Sequence, residues 1–134
     1  MIVDRYVVKK NPHGREFNLG VAYFTIPEGP GIPESISKYI ASVFKNSEVI
    51  KKDGKRTAHK LQLDGEEHPY VLYVDSAVYM GQIVVLGLGE KVDDVIDTMF
   101  RIPGLTPMEH PEETYEQVAE AVFRKMSERC GGTA

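Results

Sequence analysis

Four histidines, one cysteine and twenty carboxylates are the raw material for chemistry in this chain of 134 residues. His59 and His68 stand nine apart on neighbouring strand candidates, joined by the turn Asp64-Gly65-Glu66-Glu67. Across a hairpin the two imidazoles could meet, with Glu66 or Glu67 adding an oxygen, to make a shared metal or acid–base site. Metal sites usually announce themselves by close pairs such as H-x-x-x-H or C-x-x-C, and the sequence holds neither. His68 also precedes Pro69 at a strand start, a place of common exposure. His110 with Glu109, Glu112 and Glu113 reads as a solvated helix cap. A nucleophile needs a base and an orienting acid beside it. No G-x-S-x-G elbow occurs, Ser76 lacks a glycine frame, and Cys130 has no histidine nearby in sequence. The pairs Glu66/Glu67, Asp93/Asp94 and Glu112/Glu113 are adjacent, so on a helix they do not face each other and read as surface charge.

Residues 82–96 run from an apolar strand through Gly87-Leu88-Gly89 into a helix, the order in which a dinucleotide-binding unit begins. The third glycine of that fingerprint falls on Val92, and the first helical turn carries Glu90, Asp93 and Asp94. A helix N-terminus attracts anions, and here carboxylates already fill that field. The second strand with its acidic ribose partner is replaced by Ile102-Pro103-Gly104. The stretch reads as a strand, a glycine turn and a capped helix. No dinucleotide or other cofactor is expected.

The remaining candidates are surfaces. Lys45, Lys51, Lys52, Lys55, Arg56 and Lys60 fall within sixteen residues, around a hairpin tip. They suit an acidic partner or a phosphate-bearing ligand, and lysines also protect an edge strand. Residues 45–69 hold no aromatic side chain for base stacking, which disfavours RNA. The loop 27–33, with Pro30 between two glycines and Ile32 beside them, presents a rigid, partly apolar rim. Tyr70 and Tyr73 have opposite parity on one strand and so point to different faces.

These groups sit on a sequence of alternating strands and helices. Residues 2–8 and 18–26 read as strands. Ile36, Tyr39, Ile40, Val43 and Phe44 make an apolar stripe on a helix over about 34–46. Turns at 53–54, 64–65 and 75–77 punctuate a meander of short Val49-Ile50, 56–63, 70–74 and 78–86. Val92, Val95, Ile96, Met99 and Phe100 line one closing helix, and Tyr115, Val118, Ala119, Val122, Phe123 and Met126 line another, with Pro111 suited to its first turn. The fold class is α+β: an antiparallel meander, one helix inserted after the first two strands, and two C-terminal helices. A strand with apolar residues on both faces asks for cover on both sides. Three helices or a second subunit would supply it, and a dimer is favoured.

The order of elements resembles that of Mog1/PsbP-like and DcrB-like proteins, in which a Phe-x-aliphatic-Pro strand end precedes a helix, a meander and a closing helix. Phe24-Thr25-Ile26-Pro27, the meander 56–88 and the helix 92–102 carry the resemblance. It implies a binding protein without catalysis.

Length predicts one domain, residues 1–134, and the composition of 42% apolar and 27% charged residues is that of a globular protein. Met1 to Val8 is broken by Asp4 and Arg5, and no apolar run reaches a membrane span. One cysteine allows no internal disulfide, so a cytoplasmic location is expected, with no membrane partner. The net charge is −4, but residues 1–60 carry 11 basic and 6 acidic side chains and residues 61–134 carry 5 and 14. Overall acidity disfavours nucleic acid, and the asymmetry allows one basic and one acidic face. The leading expectation is a non-enzymatic accessory protein that binds a protein partner or itself, through an uncovered sheet face, Pro30 and Ile32, or Lys51, Lys52, Lys55, Arg56 and Lys60. One rival is a small enzyme using His59 and His68 with a carboxylate. The other is weak nucleic-acid binding through residues 45–60.

Overall fold

β-Branched and aromatic runs become strands, and the stripes of period 3.6 become helices. A computed structural model of the protein describes residues 1–11, 14–25, 32–76 and 80–131, with side chains described outside 32–35 and 129–131. The elements are β1 (Ile2–Val3), β2 (Arg5–Lys10), β3 (Phe17–Thr25), α1 (Ile32–Val43), β4 (Ser47–Asp53), β5 (Arg56–Leu61), β6 (Tyr70–Ser76), β7 (Gly81–Gly87), α2 (Val92–Met99), β8 (Thr106–Met108), β9 (His110–Pro111) and α3 (Glu112–Gly131). The fold is α+β, with three helices among the described residues and an antiparallel sheet ordered β2-β3-β7-β6-β5-β4. β8 continues the β2 edge by pairing with Tyr23, Phe24 and Thr25, beyond the point where β2 leaves β3. β1 and β9 form a separate small ladder.

Strand alternation sorts the sheet into two faces. Ala22, Phe24, Leu72, Val74, Ile83 and Val85 lie on one face. Two helices cover them, α1 through Ile36 and Ile40, with Phe44 directly after it, and α2 through Val92, Val95, Ile96 and Met99. A Cβ at Gly20 would meet Val92 Cγ1 at 2.4 Å, so α2 lies directly on β3. Among the described residues the opposite face has one helix. Tyr115, Ala119 and Phe123 of α3 pack on Leu19, Val21, Tyr23 and Val84. Adjacent strands are about 4.8 Å apart, so six span roughly 24 Å. One helix is about 10–12 Å wide and covers about half of that. α3 covers the β2-β3-β7 half.

Three local readings change. The expected strand 2–8 breaks at Asp4, because Ile2 and Val3 pair with Pro111 and His110 while Arg5 onward pairs with β3. The prolines at 107 and 111 mask β8 and β9, which exist because each lies on an edge, where a missing N–H is tolerated. Pro111 closes β9, and α3 starts one residue later. The helix expected over 34–46 begins at Ile32 with Pro33 in its first turn. Its last bond runs from Phe44 N–H to Ile40 O at 2.9 Å, and the Asn46 carbonyl instead accepts Gln62 N–H at 2.9 Å.

Candidate functional site

Residues paired across strands stand in rows, and three rows make the half-face that α3 leaves open. The first is Asp53, Arg56, Asp75, Gln82. The second is Lys51, Ala58, Tyr73, Val84, and the third is Glu48, Lys60, Val71, Leu86. A β-bulge in β4 between Val49 and Lys51 leaves Ile50 unpaired, and Ile50 and Lys51 together line the opening. Beside the rows runs the flank of α3 with Val122, Lys125 and Met126. Sheet and helix enclose two adjoining hollows of about 420 and 440 Å³, which share Lys51, Ala58, Tyr73, Val84 and Lys125. Ala58 and Val84 are the buried floor, while Tyr73 is 43% and Ile50 51% exposed.

Charge is distributed unevenly around this cleft. Arg56 pairs with Asp75 at 3.3 Å, and Lys60 faces Glu48 across the β4–β5 ladder. Lys51 and Lys125 both line the cleft, and among the described residues neither forms an ion pair with a carboxylate. The basic segment expected from the sequence is therefore split by strand alternation. Lys51, Arg56 and Lys60 belong to the open face, Lys52 opposes Thr57 on the other face, and Lys55 is in the hairpin turn. Pro30 and the side chain of Ile32 lie outside the described residues, as do His13, Tyr79 and the Cys130 side chain.

The two histidines of the expected site lie in different settings, His59 within β5 and His68 in the loop before β6. His59 pairs with Leu72 and is buried on the two-helix face, where its Nε2 lies 2.9 Å from Thr57 Oγ1. Burial lowers the pKa of this imidazole. His68 is exposed in the loop before β6. Among the described residues no group of three or more His, Cys, Asp or Glu side chains is placed to hold a metal ion.

The Gly87-Leu88-Gly89 turn has a packing role. A Cβ at Gly87 would stand 2.4 Å from the Tyr70 ring, and one at Gly89 2.1 Å from its hydroxyl. The Tyr70 hydroxyl donates to Glu66 at 3.1 Å and accepts the Lys91 N–H at 3.0 Å, at the start of α2. Asn18 Nδ2 donates to the Gly89 carbonyl. The phenol thus fills the space beside the turn and takes one backbone N–H at the start of α2. Burial pushes the Tyr70 hydroxyl pKa up.

Sequence reasoning missed one group of the cleft and misread a second elsewhere. Lys125 reads from its position as a charge suited to a helix C-terminal end, and only the placement of α3 brings it to the cleft. His110, expected as a solvated helix cap, is instead packed edge-on to Tyr23 at 4.8 Å, its Nε2 buried and without a hydrogen-bond partner among the described residues. Tyr115 completes that cluster, its hydroxyl shared between the carbonyls of Val3 and Met108 at 3.2 Å each. No helix among the described residues is long and apolar enough to cross a membrane. No protein-family model, curated protein or solved structure matches this chain.

Proposed function

We propose that the protein works as a cytoplasmic accessory protein without chemistry of its own, binding a partner protein on the open half of its sheet. One observation carries this reading: α3 covers the β2-β3-β7 half of its face and stops, leaving Tyr73 and Ile50 exposed over an apolar floor. Large aromatic side chains left in water beside a groove are where interfaces concentrate their binding energy. The cleft supports an occupant that is a folded or folding protein segment, since its apolar floor is open and broad, with Lys51 and Lys125 beside it.

Photo-cross-linking tests the reading. A photoreactive residue placed at position 73 in the source cells is expected to give a discrete protein adduct. A photoreactive residue at exposed position 16, on the far side of the sheet order, is expected to give none. Adding Ile50→Asp should remove the adduct without changing the circular dichroism spectrum. The same adducts from both positions would overturn the assignment. Adducts of twice the chain mass, together with a dimer in light scattering, would replace the foreign partner with a second copy.

A further inference from the structure

The chemistry of the occupant can be taken one step beyond the proposed partner binding, on which this step rests. We infer that the cleft takes an acidic amphipathic helix of the partner, its apolar side chains on Tyr73 and Ala58 and its carboxylates on Lys51 and Lys125. The first ground is shape. The uncovered strands β6, β5 and β4 are three strand widths across, about 14 Å, which accommodates one helix of roughly 10–12 Å. The same sheet receives two helices on its other face, where α1 packs beside α2 and reaches β4. One helix is what the open face lacks.

The second ground is charge. Arg56 has an ion-pair partner in Asp75, and Lys60 stands opposite Glu48 in the β4–β5 ladder. Lys51 on β4 and Lys125 on α3 flank the apolar floor from opposite sides, and no carboxylate of the described chain pairs with either. A neutral apolar occupant would bring two ammonium groups toward low dielectric with no carboxylate of its own to pair them. An occupant with a carboxylate toward each side would answer both, and desolvation on docking would strengthen the pairs. The chain's own acidic surface, Glu113, Glu116 and Glu120 along the outer side of α3, lacks the apolar stripe that the floor requires.

A displayed library of amphipathic helical peptides, randomised at apolar and polar positions, tests this on the full chain. The expected enrichment is apolar residues at helical spacing with Glu or Asp on both flanks. In fluorescence anisotropy the best peptide should bind about tenfold more weakly when its acids become amides, a loss of about 1.4 kcal/mol. The double variant Lys51→Glu/Lys125→Glu should lose at least that factor and gain affinity for a lysine-bearing version. Both lysines are exposed, so the variant should keep the wild-type urea midpoint. Equal binding of acid and amide peptides would overturn the inference and leave the open face as a docking site. Enrichment of basic or purely apolar helices, or of none, would also overturn it, and the position-73 adduct would then decide separately whether a partner binds there.

Discussion

Leu72 and Tyr73 are neighbours on β6 and occupy opposite environments. Leu72 is fully buried under α1 and α2, while Tyr73 is 43% exposed beside α3. The same backbone thus carries a finished core and an unfinished one. Helix number explains the difference: two helices span the sheet and one does not. The two-helix face does the stabilising, and the one-helix face is available for contact.

Substitutions can break or sharpen that division. Leu72→Ala removes a side chain from the closed face and should cost about 3 kcal/mol in urea unfolding. Gly87→Ala pushes a methyl group into the Tyr70 ring and should cost about 2 kcal/mol, seen as a lower Tm. Tyr115→Phe removes a hydroxyl bonded to Val3 and Met108 and should cost about 1 kcal/mol. That hydroxyl is pushed up to about 12 by burial and by nearby Asp4, so an ultraviolet titration should lose its latest-titrating phenol in this variant.

His59 gives a smaller, pH-dependent effect. Burial holds its pKa below 6.5, so the folded state disfavours the protonated form that the unfolded chain accepts. Its contribution is intact above about pH 6.5 and declines as pH falls below that value. His59→Asn should flatten the acid side of the stability profile, and an unchanged slope would show that other groups set it. Tyr73→Ser should change stability least, by under about 0.5 kcal/mol. A loss comparable to that of Leu72→Ala would show that the open face is part of the core after all.

Much of the architecture was legible because it is periodic. The stripe Tyr115, Ala119, Phe123 and the glycine-marked hairpins announce their own elements. The two-residue strand β9 and the three-residue β8 carry no period, and both contain proline, so pairing at an edge is their only sign. The parity of Tyr70 and Tyr73 was readable, and the structure places Tyr70 in the core and Tyr73 in the cleft. Which of the two would stay exposed depends on where α3 lies across the strands, a long-range fact that no local window contains. The basic segment was legible as a cluster in sequence. Its division between two faces follows from the pleat, and the convergence of Lys51 with Lys125 follows from tertiary packing.

The irregularity at Ile50 has a consequence for the crowded cell. A straight outer strand with unused amide groups would invite another molecule to add to it, and then another, until fibres grew. A kink there, followed by Lys51 and Lys52 on opposite faces of the strand, spoils the template for such stacking. The molecule can thereby leave an aromatic surface wet without polymerising along its rim.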